Sequence, residues 1–294
     1  MKLKQTPNVA WTGTVDNLTL YKRKGQVIGR LHSTGDKHKW QPAQCLSASN
    51  MANSSHLYKM FPEEWKPEFQ FLLPGQNNYN RYLSFARHTP PIYLVREEVE
   101  LFAAVVVPVA VSDGVLPPIT AWWETDCVVT DLSIGPAGSA EGLTVRGLTE
   151  ALLCRNGGWE EGDTLIFYHV LQHFSSDNPS WSYPYAQVLA AGVTLSLADD
   201  RPLEEVARWA KGFESVEGRL AHTAVADGGV AWVHLRKSEK ECLRSPQRLL
   251  CRNPLIERYS TFEQAMAVWK SFRVKLEQPF LMPDQDLRTY CRKW

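Results

Sequence analysis

One stretch in the middle of the chain constrains the fold most. Residues 156–163, Asn-Gly-Gly-Trp-Glu-Glu-Gly-Asp, are rich in turn formers and acids, and residues 164–171, Thr-Leu-Ile-Phe-Tyr-His-Val-Leu, form an apolar and aromatic run. A tight loop that leads into such a run is typical of a strand leaving a turn. The sequence therefore predicts a β-sheet at the centre of the protein, and this stretch carries no catalytic motif.

Composition excludes several classes of protein. The 32 basic and 32 acidic side chains cancel, so no net field attracts the molecule to nucleic acid or to a membrane. The longest apolar run, 101–111, is broken by Pro108 and is too short to cross a bilayer. The N-terminus has no signal-peptide pattern. We therefore expect a cytoplasmic location, or a particle assembled in the cytoplasm, with the six cysteines reduced.

The pattern of the chain predicts an α+β protein that is mainly β, in three regions. Residues 1–40 are a basic β arm with two strands around a Lys24-Gly25 turn, and residues 41–90 are a helical segment. Residues 91–294 are a large antiparallel, β-sandwich-like region, either one unit or two that join near 117–120, with a C-terminal helix over 261–273.

Three local expectations within the last region matter below. Residues 104–111 form a β-branched run that predicts a strand, with Pro108 at an edge or a bulge. Residues 143–154 are also expected to be a strand. The Asp227-Gly-Gly229 sequence between two apolar runs predicts a hairpin.

No constellation of residues supports catalysis, a cofactor or a metal ion. His169 and His173 lie on one side of a strand and could bind a metal. We expect instead that both are polar residues on the solvent-exposed face of the sheet. Carboxylates in the Gly-rich loop could bind a cation, yet a solvated loop is the simpler interpretation of Glu160, Glu161 and Asp163.

Two further patterns have a simple structural interpretation. Ser112 and Asp113 precede a glycine and are typical of a turn rather than of a nucleophile with its acid. The spacing of His32, His38 and Cys45 fits no zinc-binding pattern.

The basic arm is the one patch with a functional pattern. Basic side chains with aromatic residues between them suit contact with phosphates and bases. The arm could equally dock on an acidic neighbouring subunit, or be solvated. A second basic run spans 236–258. The arm residues that would contact nucleic acid or a subunit are Lys22, Arg23, Lys24, Arg30, Lys37 and Lys39.

Eleven tryptophans are many for a chain of 294 residues, and large aromatic side chains fill cores or form interfaces. The 105–111 run and the apolar face of the C-terminal helix are further surfaces that could contact another chain, although core packing explains them too. The candidate interface aromatics are Trp11, Trp40, Trp65, Trp122 and Trp123.

Three segments resemble a large group of Bacteroidota proteins known only as a domain of unknown function. They are Asp36-Lys-His-Lys-Trp-Gln-Pro-Ala-Gln44, Ser112-Asp-Gly-Val-Leu-Pro-Pro-Ile119 and the Arg236-Lys…Arg-Ser-Pro-Gln247 segment. That group begins with a basic Gly-rich G-x-V-G start, which resembles Gly25-Gln-Val-Ile-Gly-Arg30 here. In this chain Lys-Trp-Gln-Pro stands where that group has an Asn-Pro-Arg-Thr segment. The resemblance implies a helical block followed by β domains, and no activity.

These observations favour a non-enzymatic structural protein that acts as a subunit of a larger assembly, of cellular, phage or mobile-element origin. Its partners would be copies of itself or other subunits, with no membrane. The alternative is a nucleic-acid-binding protein that uses the basic arm. A third hypothesis is an enzyme of unfamiliar type with His169 and His173 in a cleft.

Overall fold

A computed structural model shows the architecture. It describes residues 4–6, 10–15, 18–23, 26–31, 41–135, 143–175, 182–207, 212–223, 226–238 and 241–273. Within these ranges the protein is α+β and mainly β, with its strands predominantly antiparallel, which confirms the predicted fold class.

The first four strands form a sheet of their own, in the order β1-β2-β3-β4. Strands β3 and β4 are the predicted hairpin, and β1 and β2 extend it at one edge. The strands are β1 (Lys4–Thr6), β2 (Ala10–Val15), β3 (Leu18–Arg23) and β4 (Gln26–Leu31).

The middle of the chain alternates helices with short strands. Helix α1 begins with Pro42 at its first position, where a missing N–H costs nothing. In chain order the elements are α1 (Pro42–Met60), a 3-10 turn (Glu63–Trp65), β5 (Glu68–Phe69), α2 (Asn78–Ala86), α3 (Arg96–Glu100), β6 (Ala110–Asp113), β7 (Ala121–Trp123), β8 (Val128–Ser133) and α4 (Val145–Arg155).

The remaining elements build most of the central sheet and the C-terminal helices. They are β9 (Thr164–Ser175), β10 (Tyr183–Thr194), α5 (Leu203–Val206), β11 (Phe213–Val216), β12 (Arg219–His222), β13 (Gly228–Lys237), β14 (Cys242–Arg244), β15 (Gln247–Arg248), β16 (Leu250–Arg252), α6 (Leu255–Tyr259) and α7 (Phe262–Arg273).

The central sheet has the order β10-β9-β13-β14, and β16 also pairs with β13. Because side chains alternate along a strand, each face of β9 contributes to a different core. Ile166, Tyr168 and Val170 pack into one core, and Leu165 and Phe167 pack into the other. Both faces of this sheet are therefore buried, which explains why β9 reads as a continuous apolar run.

Helices cover the first face of the central sheet. Leu57 of α1, Tyr82 of α2 and Leu255 of α6 belong to its core, and α7 lies against α1. The helical segment and the β region thus share one hydrophobic core.

The second face packs against a smaller sheet and helix α4. This sheet has the order β11-β12-β8-β7, and Val128 and Leu220 contribute to the common core. Sheet-on-sheet packing of this kind is the sandwich-like arrangement that the sequence predicted.

The prediction of a strand over 143–154 was wrong, because this segment is helix α4. The hydroxyl of Thr144 caps the helix by accepting a hydrogen bond of 3.0 Å from the N–H of Gly147. Val145, Leu148 and Leu152 are buried on one face, at the helical spacing of three and four residues.

The predicted hairpin at Asp227-Gly-Gly229 was also wrong. Strand β12 pairs with β11 and β8, whereas β13 pairs with β9, so the two runs belong to different sheets. Gly228 is needed for close approach instead of a turn, because a Cβ there would lie 1.9 Å from the carbonyl oxygen of Val170 and its φ is 143°.

Most of the 104–111 run is not a strand, which corrects the expectation of an edge strand. Only Ala110 onward belongs to β6. Ala103 to Val107 and Val109 are buried in the first core, so this segment offers no edge to another chain.

Side-chain amides, instead of a β-ladder, satisfy the backbone of Val105 and Val106 in this buried segment. The amide of Asn53 accepts from the N–H of Val105 at 2.7 Å and donates to its carbonyl at 3.1 Å. Gln172 accepts from the N–H of Val106 at 2.8 Å, and Asn253 donates to the carbonyl of Val106 at 2.9 Å. A buried backbone without such partners would be costly.

Candidate functional site

A buried ion cluster ties the Gly-rich loop to the central sheet. Asp163, at the end of the loop, and His234, on β13, are each only 2% exposed. Oδ2 of Asp163 accepts hydrogen bonds from Nε2 of His234 at 2.7 Å and from the N–H of Glu160 at 2.8 Å. Arg236 donates to both carboxylate oxygens at 2.8 Å. The expectation of a solvated loop was therefore wrong for Asp163.

The protonation states of this cluster follow from its contacts. Burial opposes ionisation of Asp163, but the hydrogen bonds from Arg236, Glu160 and His234 outweigh it and lower the pKa of the carboxyl. Burial lowers the pKa of His234, and the contact with Asp163 offsets only part of that effect. His234 is accordingly neutral at pH 7, with Nε2–H donating to the carboxylate.

Neighbouring groups make further contacts with His234 and Arg236 of the cluster. The indole of Trp159 stacks on the ring of His234 at 3.8 Å between centroids. Arg236 also donates to the carbonyl of Gly158 at 2.7 Å and pairs with Glu160. This arrangement fixes the loop in place, and its Asp and His are shielded from a substrate.

His169 occupies the second core and not a wet face, which corrects that expectation. It is 5% exposed, and burial lowers its pKa to about 4. Its ring lies 5.2 Å from that of His222. His173 instead stacks on Tyr185. The part of the chain that the structure describes holds no cluster of three or more His, Cys, Asp or Glu that could bind a metal ion.

Ser112 and Asp113 are both bound within the fold. The hydroxyl of Ser112 donates to the carbonyl of Ser245 at 2.7 Å. The carboxylate of Asp113 accepts from Arg81 at 2.9 Å. Neither side chain is placed to act as a nucleophile or its acid.

The structure places only part of the basic arm. Lys22 and Arg23 lie at the end of β3, and Arg30 lies on β4, where it is in register with Thr19. Lys24, Lys37 and Lys39 lie outside the described residues.

Three arginines of the second basic run are engaged within the fold, whereas Lys237 and Arg248 are exposed. Arg236 belongs to the buried cluster, and Arg244 is buried and paired with Glu68. The guanidinium of Arg252 lies over the ring of Trp123 at 5.6 Å. These three charges are used within the fold, which weakens the support that the run gives to binding of nucleic acid.

The candidate interface aromatics do not form one surface. Trp122 and Trp123 lie on β7, where Arg219 covers the ring of Trp122 at 5.3 Å. Trp65 lies at the other side of the central sheet, beside β10. Trp11 lies on β2, and Trp40 is outside the described residues.

The apolar face of α7 lines an open groove with the start of α1. Phe262 is 74% exposed at its rim. Leu46 and Tyr93 line the opposite side, and Met266 and Trp269 line the α7 side.

The outer edge of β10 has no neighbouring strand among the described residues. Strand β10 pairs with β9 along all 12 residues without a bulge, and it is the last strand of the sheet. The carbonyl of Pro184 turns away from β9, since it accepts a hydrogen bond of 2.9 Å from Ala104. Backbone direction alternates along a strand. The residues whose N–H and C=O therefore also face outward are Ala186, Val188, Ala190, Gly192 and Thr194.

No hydrogen bond reaches this outward backbone between Ala186 and Thr194 from any residue that the structure describes. The sequence 186–194, Ala-Gln-Val-Leu-Ala-Ala-Gly-Val-Thr, contains no charge and no proline. Proteins usually protect an edge strand with charges, proline, bulges or a short length. The segment 186–194 of β10 has none of these protections, and the one proline of the strand, Pro184, lies before it.

The opposite side of the sheet is built differently. Strands β14 and β16 are three residues long, and each ends in an arginine. Short strands with charged residues are the usual protected form of an edge. The open character is thus specific to β10.

Trp65 covers one face of the sheet at this open edge. The ring lies over Gly192, where a Cβ would be 2.5 Å from its Cη2 atom. Trp65 is half-buried and packs against the first core. Of the predicted interface aromatics with described side chains, Trp65 is the one beside the β10 edge.

Comparison of the chain with protein-family models, with curated proteins and with solved structures finds no match. In the described residues, every helix is too short or too polar to cross a membrane.

Proposed function

We propose that this protein is a non-enzymatic structural subunit of an assembly built from copies of the same chain. The open outer edge of β10 carries the proposal. A long, flat, uncharged edge is a template for pairing with another chain, and natural monomers rarely leave one exposed.

The distribution of charge supports the same proposal. The residues that resemble catalytic groups, Asp163 and His234, are buried and satisfied within the fold. Catalysis needs such groups within reach of a substrate. Their use in holding the loop in place suits a rigid subunit.

The test is the mass of nuclease-treated protein by size-exclusion chromatography with light scattering. We would measure a concentration series in low and high salt, with absorbance at 260 and 280 nm. We expect a defined oligomer without nucleic acid that persists in high salt, because the β10 edge contains no charge to be screened. A monomer at every concentration would reject the proposal.

The same experiment separates the alternative function. Binding of nucleic acid through the basic arm would give a high 260 nm absorbance before nuclease treatment, lost as the salt concentration rises. That result, together with a monomeric mass, would favour nucleic-acid binding over assembly.

A further inference from the structure

We infer that β10 pairs with β10 of a second copy, antiparallel and about a two-fold axis at Ala190, so that two central sheets become one continuous sheet. This inference rests on the proposed function and names the partner and the register. Isologous contacts of this kind, with the same patch on both subunits, are the commonest in homo-oligomers.

The extent of the open edge fixes the position of the axis. From Ala186 to Thr194 the outward backbone has no hydrogen-bond partner among the described residues, and Ala190 is the middle of that segment. A register centred two residues earlier would bring Pro184 opposite Gly192. Pro184 has no N–H to donate, and its carbonyl already accepts from Ala104. A register centred two residues later would leave Ala186 and Val188 unpaired.

Side-chain size agrees with this register. On the face that Trp65 covers, Val188 would lie opposite Gly192 of the second copy, which has no side chain of its own. On the other face, Leu189 would lie opposite Ala191. Each larger side chain therefore meets a smaller one, which is how facing layers pack without clashes or voids. The register centred at 188 would instead oppose Val188 to itself.

Charge also favours a second copy of this chain. Self-pairing brings each residue close to the axis near its own copy, so a charge there would meet a like charge. The segment 186–194 has no charged residue. Its neutrality therefore removes the usual obstacle to pairing of a strand with itself.

The register is tested by disulfide cross-linking of Ala190→Cys. The background would replace Cys127, Cys154, Cys242 and Cys291 by Ser, so that other thiols do not react. Paired residues with facing hydrogen bonds have Cα atoms about 5.5 Å apart, which lies within the range for a disulfide. We expect a covalent dimer after mild oxidation. Thr194→Cys is the matched control, because its own copy would lie about 26 Å away, eight residues along the strand.

A second measurement uses the unmodified protein. The amide protons of Val188, Ala190 and Gly192 should exchange more slowly as the protein concentration rises, because pairing protects them. Those of Leu189 and Ala191 already face β9 and should change much less.

The outcomes are distinct for the inference and for the proposed function. Cross-linking at position 190 and not at 194, with concentration-dependent protection of the outward amides, would support the inference. An oligomer that lacks either the specific cross-link or the protection of the outward amides would overturn this interface. It would leave the proposed function standing. A monomer by light scattering would reject both.

Discussion

The ring of Trp65 occupies the space that a side chain at Gly192 would need. A Cβ at Gly192 would lie 2.5 Å from Cη2 and 2.8 Å from Cζ3 of the indole. We therefore expect Gly192→Ala to displace Trp65 and to lower the free energy of unfolding by about 1–3 kcal/mol, as overpacking does. Urea denaturation followed by circular dichroism measures this difference.

Two variants test whether the cause is the contact with Trp65. Gly157→Ala should change the free energy of unfolding by less than about 0.5 kcal/mol, because a Cβ at Gly157 meets nothing within 4 Å. Adding Trp65→Leu to Gly192→Ala should restore part of the loss relative to Trp65→Leu alone. Equal losses of stability for Gly157→Ala and Gly192→Ala would contradict the contact with Trp65 as the cause.

The buried ion cluster gives the second prediction. Asp163→Asn leaves Arg236 and His234 without their carboxylate in a buried place, so we expect a loss of about 3 kcal/mol. The control is Glu160→Gln, which removes the exposed carboxylate on the same arginine. Exposed ion pairs contribute less than about 1 kcal/mol. Denaturation at pH 7 compares the two, and similar small losses would show that the cluster does not lock the loop.

The sequence predicted elements whose signals are local. The apolar run over 164–174 predicted a strand, which is β9. Ser260 or Thr261 was predicted as the cap of the C-terminal helix, and Thr261 accepts a hydrogen bond from the N–H of Gln264 at the start of α7. Helix α4 was missed although its signal was present, since Val145, Leu148 and Leu152 have helical spacing. That error was one of interpretation, not of missing information.

Other features depend on residues far apart in the chain. The sequence around Val105 predicts a strand. In the structure the N–H of Val105 donates to Asn53 and the N–H of Val106 donates to Gln172. The sequence around Asp163 predicts a solvated loop carboxylate. Its partner Arg236 lies 73 residues later in the chain, so local sequence does not reveal the contact. The β10 run reads like any strand, because the order of strands in a sheet is a tertiary property. The candidate assembly surface could not have been found from the sequence.

The third prediction concerns pH. The pKa of His169 is about 4 in the folded protein, against 6.5 as its ordinary value. Above pH 6.5 the ring is neutral in both states. Between pH 6.5 and 4 only the unfolded state binds the proton, so stability falls as the pH falls, by about 3 kcal/mol in total. Below pH 4 this contribution changes no further.

His169→Phe should remove this part of the pH dependence. Other titrating groups act in both proteins, so the difference between the wild-type and variant unfolding free energies isolates His169. We expect this difference to be constant above pH 6.5 and to move in favour of the variant by about 3 kcal/mol towards pH 4. Parallel curves from pH 7.5 to 4 would show that His169 is not held neutral.

The last prediction separates the fold of β10 from its pairing. The N–H of Ala190 faces outward, so Ala190→Pro removes no hydrogen bond to β9. At the proposed axis it removes a donor from both copies, so we expect the dissociation constant to rise at least about tenfold, with an unchanged fold. Ala191→Pro is the contrasting variant, because its N–H faces Phe167 of β9 and its loss should destabilise the monomer itself. Light scattering and circular dichroism read the two effects separately. An Ala190→Pro protein that keeps both its native spectrum and the wild-type oligomer mass would exclude β10 as the contact between copies.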